Sequence, residues 1–347
     1  MDYRRLGRSD IEVSAICLGS MTWGQQNSEA EGFEQMDYAF GQGVNFIDTA
    51  EMYPIATAAE TYGRTEEIIG TWMAARGNRD RVIVATKIVG PNAERFPYIR
   101  GGETRFTRKH VEAAVEASLQ RLQTDHIDLY QLHWPDRATN DFGRLAYQHE
   151  DGAAETPIEE TLEALAAVVQ AGKVRAVGLS NENPWGVMRF LALAEQGRGP
   201  RVVSVQNPYN LLNRSYETRL AEISIREEAG LLAYAPLAAG TLSGKYLGGR
   251  WPEGARRTLW PGNRRYQGVQ ADKATAAYVQ LARDHGHDPA ELALAFVLRQ
   301  RFLGAAIIGA TSTAQLMTDI GAARVTLTND ILQAIEEIHR LYTYPCP

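Results

Sequence analysis

The chain has 347 residues, 44% of them hydrophobic and 22% charged, which is enough apolar material for a large core. Its net charge of -6 gives no electrostatic footing for nucleic acid, and no apolar run approaches the ~18 residues of a membrane span. Two cysteines, Cys17 and Cys346, are too few for a disulfide framework and lack metal-ligand spacing; with no signal-type apolar segment at the N-terminus, the expectation is a cytoplasmic protein without metal.

In chain order, Tyr3–Leu6 and Ile11–Val13 flank Gly-Arg-Ser-Asp and predict a β-hairpin. Eight short, mostly apolar runs follow: Ala15–Leu18, Val44–Ile47, Val82–Ala85, Ile127–Gln131, Val174–Leu179, Val202–Gln206, Leu231–Tyr234 and Ala305–Ile308. They alternate with helical patterns of roughly 10–15 residues, as parallel strands buried on both faces do. Ser28 with Glu31, Thr156 with Glu159 and Asp288 with Glu291 predict capping boxes; Pro157 and Pro289 occupy first helical positions, and Gly172 stops the helix that follows Pro157. The fold class predicted is α/β, a single (β/α)8 TIM barrel over 1–347 with an N-terminal β-hairpin. Two connections, 134–155 and 235–270, are too long for simple turns and follow strand C-termini, where barrel chemistry is built. A doubly wound nucleotide fold lacks its fingerprint: Gly41-Gln-Gly43 precedes a strand instead of following one. Gly240–Tyr246 is one residue short of a phosphate loop.

Four polar residues fall at one rim of three consecutive strands: Asp48 ending the second, Tyr53 in the loop beyond it, Lys87 ending the third and His133 following the fourth. Singly, each has an ordinary structural explanation as a cap, a core aromatic, a surface charge or a loop histidine. Together they suit proton delivery to a developing alkoxide. A tyrosine hydroxyl is the acid, a lysine ammonium lowers its pKa, an aspartate keeps the lysine charged, and a histidine orients the carbonyl oxygen.

These segments resemble the aldo-keto reductase family. Asn45-Phe-Ile-Asp48-Thr-Ala with Tyr53, Ala85-Thr-Lys87 and Leu129-Tyr-Gln-Leu-His133-Trp match its first motifs. Gly172 to Asn181, Val205-Gln206-Asn-Pro-Tyr, Tyr234-Ala-Pro-Leu237 and Ile308-Gly-Ala-Thr-Ser312 match its later strands. The likeness runs in order from about Arg4 to Ala322 and is greatest to the bacterial Tas-type branch, which is related to the potassium-channel β-subunits. The resemblance implies NADPH-dependent reduction of a small-molecule carbonyl, with Asp48, Tyr53, Lys87 and His133 catalytic. It implies that Ser180, Asn181 and Gln206 hold the nicotinamide carboxamide and that Tyr234 stacks on the ring. Pro236, Leu237, Gly240 and Lys245 would pass over the pyrophosphate, and Arg256 would meet the 2′-phosphate. Gly309, Ala310, Thr311, Gln315 and Asp319 would grip the adenosine end, with Met21 and Thr22 completing the cofactor set. A second implied reading is an NADP(H)-binding regulatory subunit with little turnover.

Two departures from the family pattern stand out. Gly309 and Gln315 replace a lysine and an arginine of the phosphate loop, and Asp319 replaces an asparagine, so it accepts hydrogen bonds but does not donate. Ser312 and Gln315 also form a capping-box pair that would occupy Gln315 with its own helix. Trp23 and Trp134 are the expected walls of an apolar substrate pocket. A barrel hydrolase using Asp48 and Glu51 is the remaining rival, and it leaves the later motifs unexplained.

Overall fold

The computed structural model describes residues 1–140, 142–262 and 265–346. Strands β1 (Tyr3–Arg5) and β2 (Glu12–Ser14) form the antiparallel hairpin. The chain then alternates: β3 (Ile16–Gly19), α1 (Glu29–Gly41), β4 (Phe46–Asp48), α2 (Arg64–Arg76), β5 (Ile83–Ile88), α3 (Arg108–Leu122), β6 (Ile127–Leu132) and α4 (Ile158–Gln170). It continues through β7 (Val174–Ser180), α5 (Pro184–Glu195), β8 (Val202–Pro208), α6 (Ala221–Arg226), β9 (Gly230–Tyr234) and α7 (Arg256–Leu259). The last elements are α8 (Val269–Asp284), α9 (Pro289–Leu298), β10 (Leu303–Ile308), α10 (Thr313–Gly321) and α11 (Asn329–Leu341). Strands β3 to β10 pair in parallel in sequence order, and β10 closes on β3: a (β/α)8 barrel.

Alternation along each strand splits the core in two. Outward residues such as Ile47, Val84, Tyr130 and Leu179 pack beneath the helices. Inward residues Cys17, Phe46, Ala85, Leu129 and Ala305 fill the barrel, and Leu6, Ile11 and Val13 of the hairpin region plug its N-terminal end.

Most strands run further toward their C-terminal ends than the apolar runs do: β4 reaches Asp48, β5 passes Lys87, and β7 and β8 reach Ser180 and Pro208. Asp48, Lys87 and Ser180 are polar yet remain in the hydrogen-bonded ladder, so these three rim groups are strand residues. Ser28 and Glu31 form the expected capping box, and Asp288 caps α9 through the N–H groups of Ala290 and Glu291. Thr156 does not cap α4. Pro157 takes that position, while the Thr156 hydroxyl donates to Asp136 Oδ2 at 2.5 Å.

Candidate active site

Asp48 and Lys87 face each other across the β4–β5 pair, both buried, with Lys87 Nζ 2.6 Å from Asp48 Oδ2 and 2.7 Å from the Thr49 carbonyl oxygen. Burial opposes the ammonium, but the charges of Asp48 and Tyr53 and the Asp48 hydrogen bond outweigh it, leaving the Lys87 pKa above its ordinary value. Lys87 Nζ lies 5.0 Å from the centre of the Tyr53 ring, and the His133 ring stands edge-on to that ring at 5.9 Å and 75°. The four residues therefore converge at one mouth of the barrel. One expectation changes: Lys87 does pull the Tyr53 pKa down, yet burial pushes harder, and the phenol ends above its usual value. Burial, with Lys87 and Arg95 adding to it, holds His133 far below the usual imidazole range, so the ring is neutral; its Nδ1 is buried without a partner.

The second oxygen of Asp48 is held by two amides. Gln206 Nε2 donates to Oδ1 at 2.8 Å and Gln131 Nε2 at 3.1 Å, and Gln206 Nε2 also donates to Gln131 Oε1 at 3.0 Å. Ser180 Oγ donates to the Gln206 carbonyl oxygen, Asn181 Nδ2 to the His133 carbonyl oxygen, and Tyr234 Oη to Asn181 Oδ1 at 2.7 Å. Gln131 was not among the expected site residues. The signal is present in the sequence: Leu129 and Gln131 share one face of β6 and His133, just past its end, continues the alternation, so a glutamine between them points inward.

Beyond β9, Ala235, Ala238 and Ala239 adopt positive φ, and Gly240 follows at +84°. A Cβ on Gly240 would lie 2.8 Å from Lys245 Cε, so the glycine lets the lysine fold back over the turn. Lys245 and Arg256 make no ion pair with any carboxylate among the described residues. Arg256 reaches Met21 Sδ at 3.2 Å and lies over Trp260, and Tyr53 lies within reach of its field; among the described residues it makes no hydrogen bond or ion pair with Gln315 or Asp319. Met21 and Thr22 form the turn after β3, where Met21 and Thr22 carbonyl oxygens accept from Ile55 and Asn27. Gly309, Ala310 and Thr311 lead from β10 into α10. Gln315 Oε1 is occupied there by the Thr311 N–H and hydroxyl, and Ser312 Oγ accepts from the Gln315 N–H. Asp319 is buried. Burial, with the charge of Asp288 adding and Lys245 opposing, raises its pKa to about 7. The Pro236 and Leu237 positions sit in the turn between Tyr234 and Gly240.

One expectation and one rival reading fail. Trp23 is not a pocket wall: it is fully buried, its indole N–H donates to Gln35 Oε1 at 2.9 Å, and its ring packs against Gly32 of α1, which also faces Ile68 of α2. A glycine at 32 opens the seam between α1 and α2 into which that ring settles. Nor are the carboxylates arranged for hydrolysis. Glu51 is fully buried, ion-paired through both oxygens to Arg100 at 2.6 and 3.0 Å, and accepts the Val89 N–H, so it anchors the Tyr53 loop. Trp134 stays beside the site, with its ring 5.2 Å from His133. It also lines a cavity of about 330 Å³ between the 134–157 connection and α5, which reaches Ser180 but not Tyr53 or Lys87. No cluster of metal-ligating side chains occurs among the described residues, and none of their helices is long and apolar enough to cross a membrane.

Residues 15–340 match the model of the Aldo/keto reductase family. The chain belongs to that family. It is 50% identical to Protein tas of Escherichia coli (strain K12) over 347 residues, all of both chains. It is 35% identical to an uncharacterized oxidoreductase, YrpG, of Bacillus subtilis (strain 168), covering 97% of this chain and 96% of that one. An aldo-keto reductase of Babesia bovis is 37% identical over 276 residues, 76% of this chain and 96% of its own. The aldo/keto reductase is thus of the Tas type and an oxidoreductase.

Proposed function

We propose that this protein reduces aldehydes or ketones to alcohols with NADPH, and that Tyr53 is the general acid. The observation that carries the reading is the single buried rim on which Asp48 and Lys87 pair beside the rings of Tyr53 and His133. A reduced nicotinamide held in this mouth would supply the hydride for the carbonyl carbon. The protein's own groups do the rest. Burial keeps the Tyr53 phenol protonated well past neutrality, so it begins each cycle as an acid. Lys87, with two of its hydrogens on Asp48 and Thr49, keeps a third for the phenolate that forms. Neutral His133 offers its one N–H to the carbonyl oxygen and fixes its orientation.

Ser180, Asn181 and Gln206 would hold the carboxamide and Tyr234 would stack on the ring. Pro236, Leu237, Gly240 and Lys245 would pass over the pyrophosphate, and Met21 and Thr22 would complete the cofactor set. Gly309, Ala310, Thr311, Gln315 and Asp319 would grip the adenosine end. Among the described residues neither Lys245 nor Arg256 closes an ion pair, although the charge of Asp319 is felt at Lys245; two half-satisfied cations support an anionic ligand here, and Arg256 supports the phosphorylated cofactor. Trp134 lines the substrate side for apolar carbonyls, a single barrel domain carries the whole site, and the cytoplasm is the compartment. The test is to mix purified protein with NADPH or NADH and a panel of aldehydes and ketones and follow nicotinamide absorbance. NADPH is consumed with several substrates and NADH more slowly. Tight NADPH binding without turnover across the panel contradicts the reading and points to a regulatory subunit.

A further inference from the structure

Gln131 sits fully buried in the barrel, following Leu129 on the inward face of β6 and preceding His133 just beyond its end. We propose that it is a positioning residue: it engages the second amide hydrogen of Gln206, so that only Gln206 Oε1 is left to meet a cofactor carboxamide. This inference rests on the NADPH reading above.

A carboxamide nitrogen carries two hydrogens. On Gln206 one goes to Asp48 Oδ1 at 2.8 Å and the other to Gln131 Oε1 at 3.0 Å, while Gln206 Oε1 accepts from no group among the described residues. Gln131 is fixed in turn, because its own Nε2 donates to Asp48 Oδ1 at 3.1 Å. The backbone makes room for it. Gly178 is the β7 residue paired with Gln131, and a Cβ there would lie 3.3 Å from Gln131 Cγ and 2.7 Å from Ser204 Oγ. Leucine would fill the same volume without any polar atom to satisfy, whereas a buried amide is tolerated only when its donors and acceptors are matched. The match sets a polarity: Gln206 presents an acceptor, and an acceptor reads the NH2 of a carboxamide and not its C=O.

An NADP+ analogue with acetylpyridine in place of nicotinamide keeps the ring carbonyl and loses that NH2. Calorimetric titration with NADP+ and with this analogue should show the wild-type protein binding the analogue ~10-fold more weakly, the value of one net hydrogen bond. In Gln131→Leu the freed Gln206 N–H turns to the ligand carbonyl and the ratio falls to about twofold or less. In Gln131→Glu the acceptor for Gln206 persists and the ratio stays near the wild-type value. A general loosening of the fold weakens both ligands alike and leaves the ratio unmoved. Equal wild-type affinities, or an unchanged ratio in Gln131→Leu, overturn the proposal while NADP+ binding leaves the cofactor reading standing. Failure of the wild type to bind NADP+ overturns both, and the wild-type comparison needs no variant to fold.

Discussion

At the N-terminal end of the barrel interior, Leu6, Ile11 and Val13 close over Phe46, Ala85 and Leu129. Two residues further along the same three strands, the inward positions are Asp48, Lys87 and Gln131. Both layers are buried and both point to the barrel axis. The lower layer stabilises the fold by removing apolar surface from water; the upper layer opposes burial and persists because every charge and amide in it has a partner. Stability and chemistry therefore occupy separate storeys of one interior, and substitutions in each should be felt differently.

The largest expected contrast is between Lys87→Met and Leu6→Ala. Lys87→Met leaves Asp48 charged and unpaired, which costs ~3–5 kcal/mol and lowers turnover by ~100-fold or more. Adding Asp48→Leu restores most of the stability and none of the turnover. Leu6→Ala costs a comparable ~2–5 kcal/mol, while kcat per folded molecule stays at the wild-type value. Denaturant titration alongside kinetics checks the pair, and a double variant no more stable than Lys87→Met alone would break the comparison.

A smaller effect separates Asp319 from the Asp48 layer, because Asp319 lies buried beside Lys245 without an ion-pair contact. Its pKa of about 7 in the folded chain lies above the ordinary 3.8. The folded state thus holds a proton that the unfolded chain has released, and stability declines as pH rises from about 4 to 7. Asp319→Asn should remove that slope, raising stability near pH 8 by about 1–3 kcal/mol and changing little near pH 4. Thermal melts across pH test it; parallel pH profiles for the two proteins would show that Asp319 ionises normally.

Much of this was legible in the chain itself. Runs such as Val82–Ala85 mark barrel strands because two-sided burial demands apolar residues, and the polar residues that end those strands mark the rim. What stayed hidden depended on partners distant in sequence. Trp23 reads as a mouth residue because it follows a strand, but the groove that takes it is opened by Gly32 on the next helix. Thr156 reads as a cap, but Asp136 competes for its hydroxyl. Gln131 hides in an apolar run, since its meaning comes from Asp48 and Gln206, far along the chain. The Tyr53 pKa departs from what residue types suggest for a related reason: they give the Lys87 attraction, whereas the burial that exceeds it belongs to the assembled site.

The central claim is that Tyr53 delivers the proton in this upper layer. Single-turnover mixing of NADPH-loaded wild type and Tyr53→Phe with one aldehyde, following nicotinamide oxidation, tests it directly. The account predicts NADPH affinity within about threefold of wild type and a hydride step slowed by ~100-fold or more. A hydride step of undiminished rate in Tyr53→Phe would contradict it.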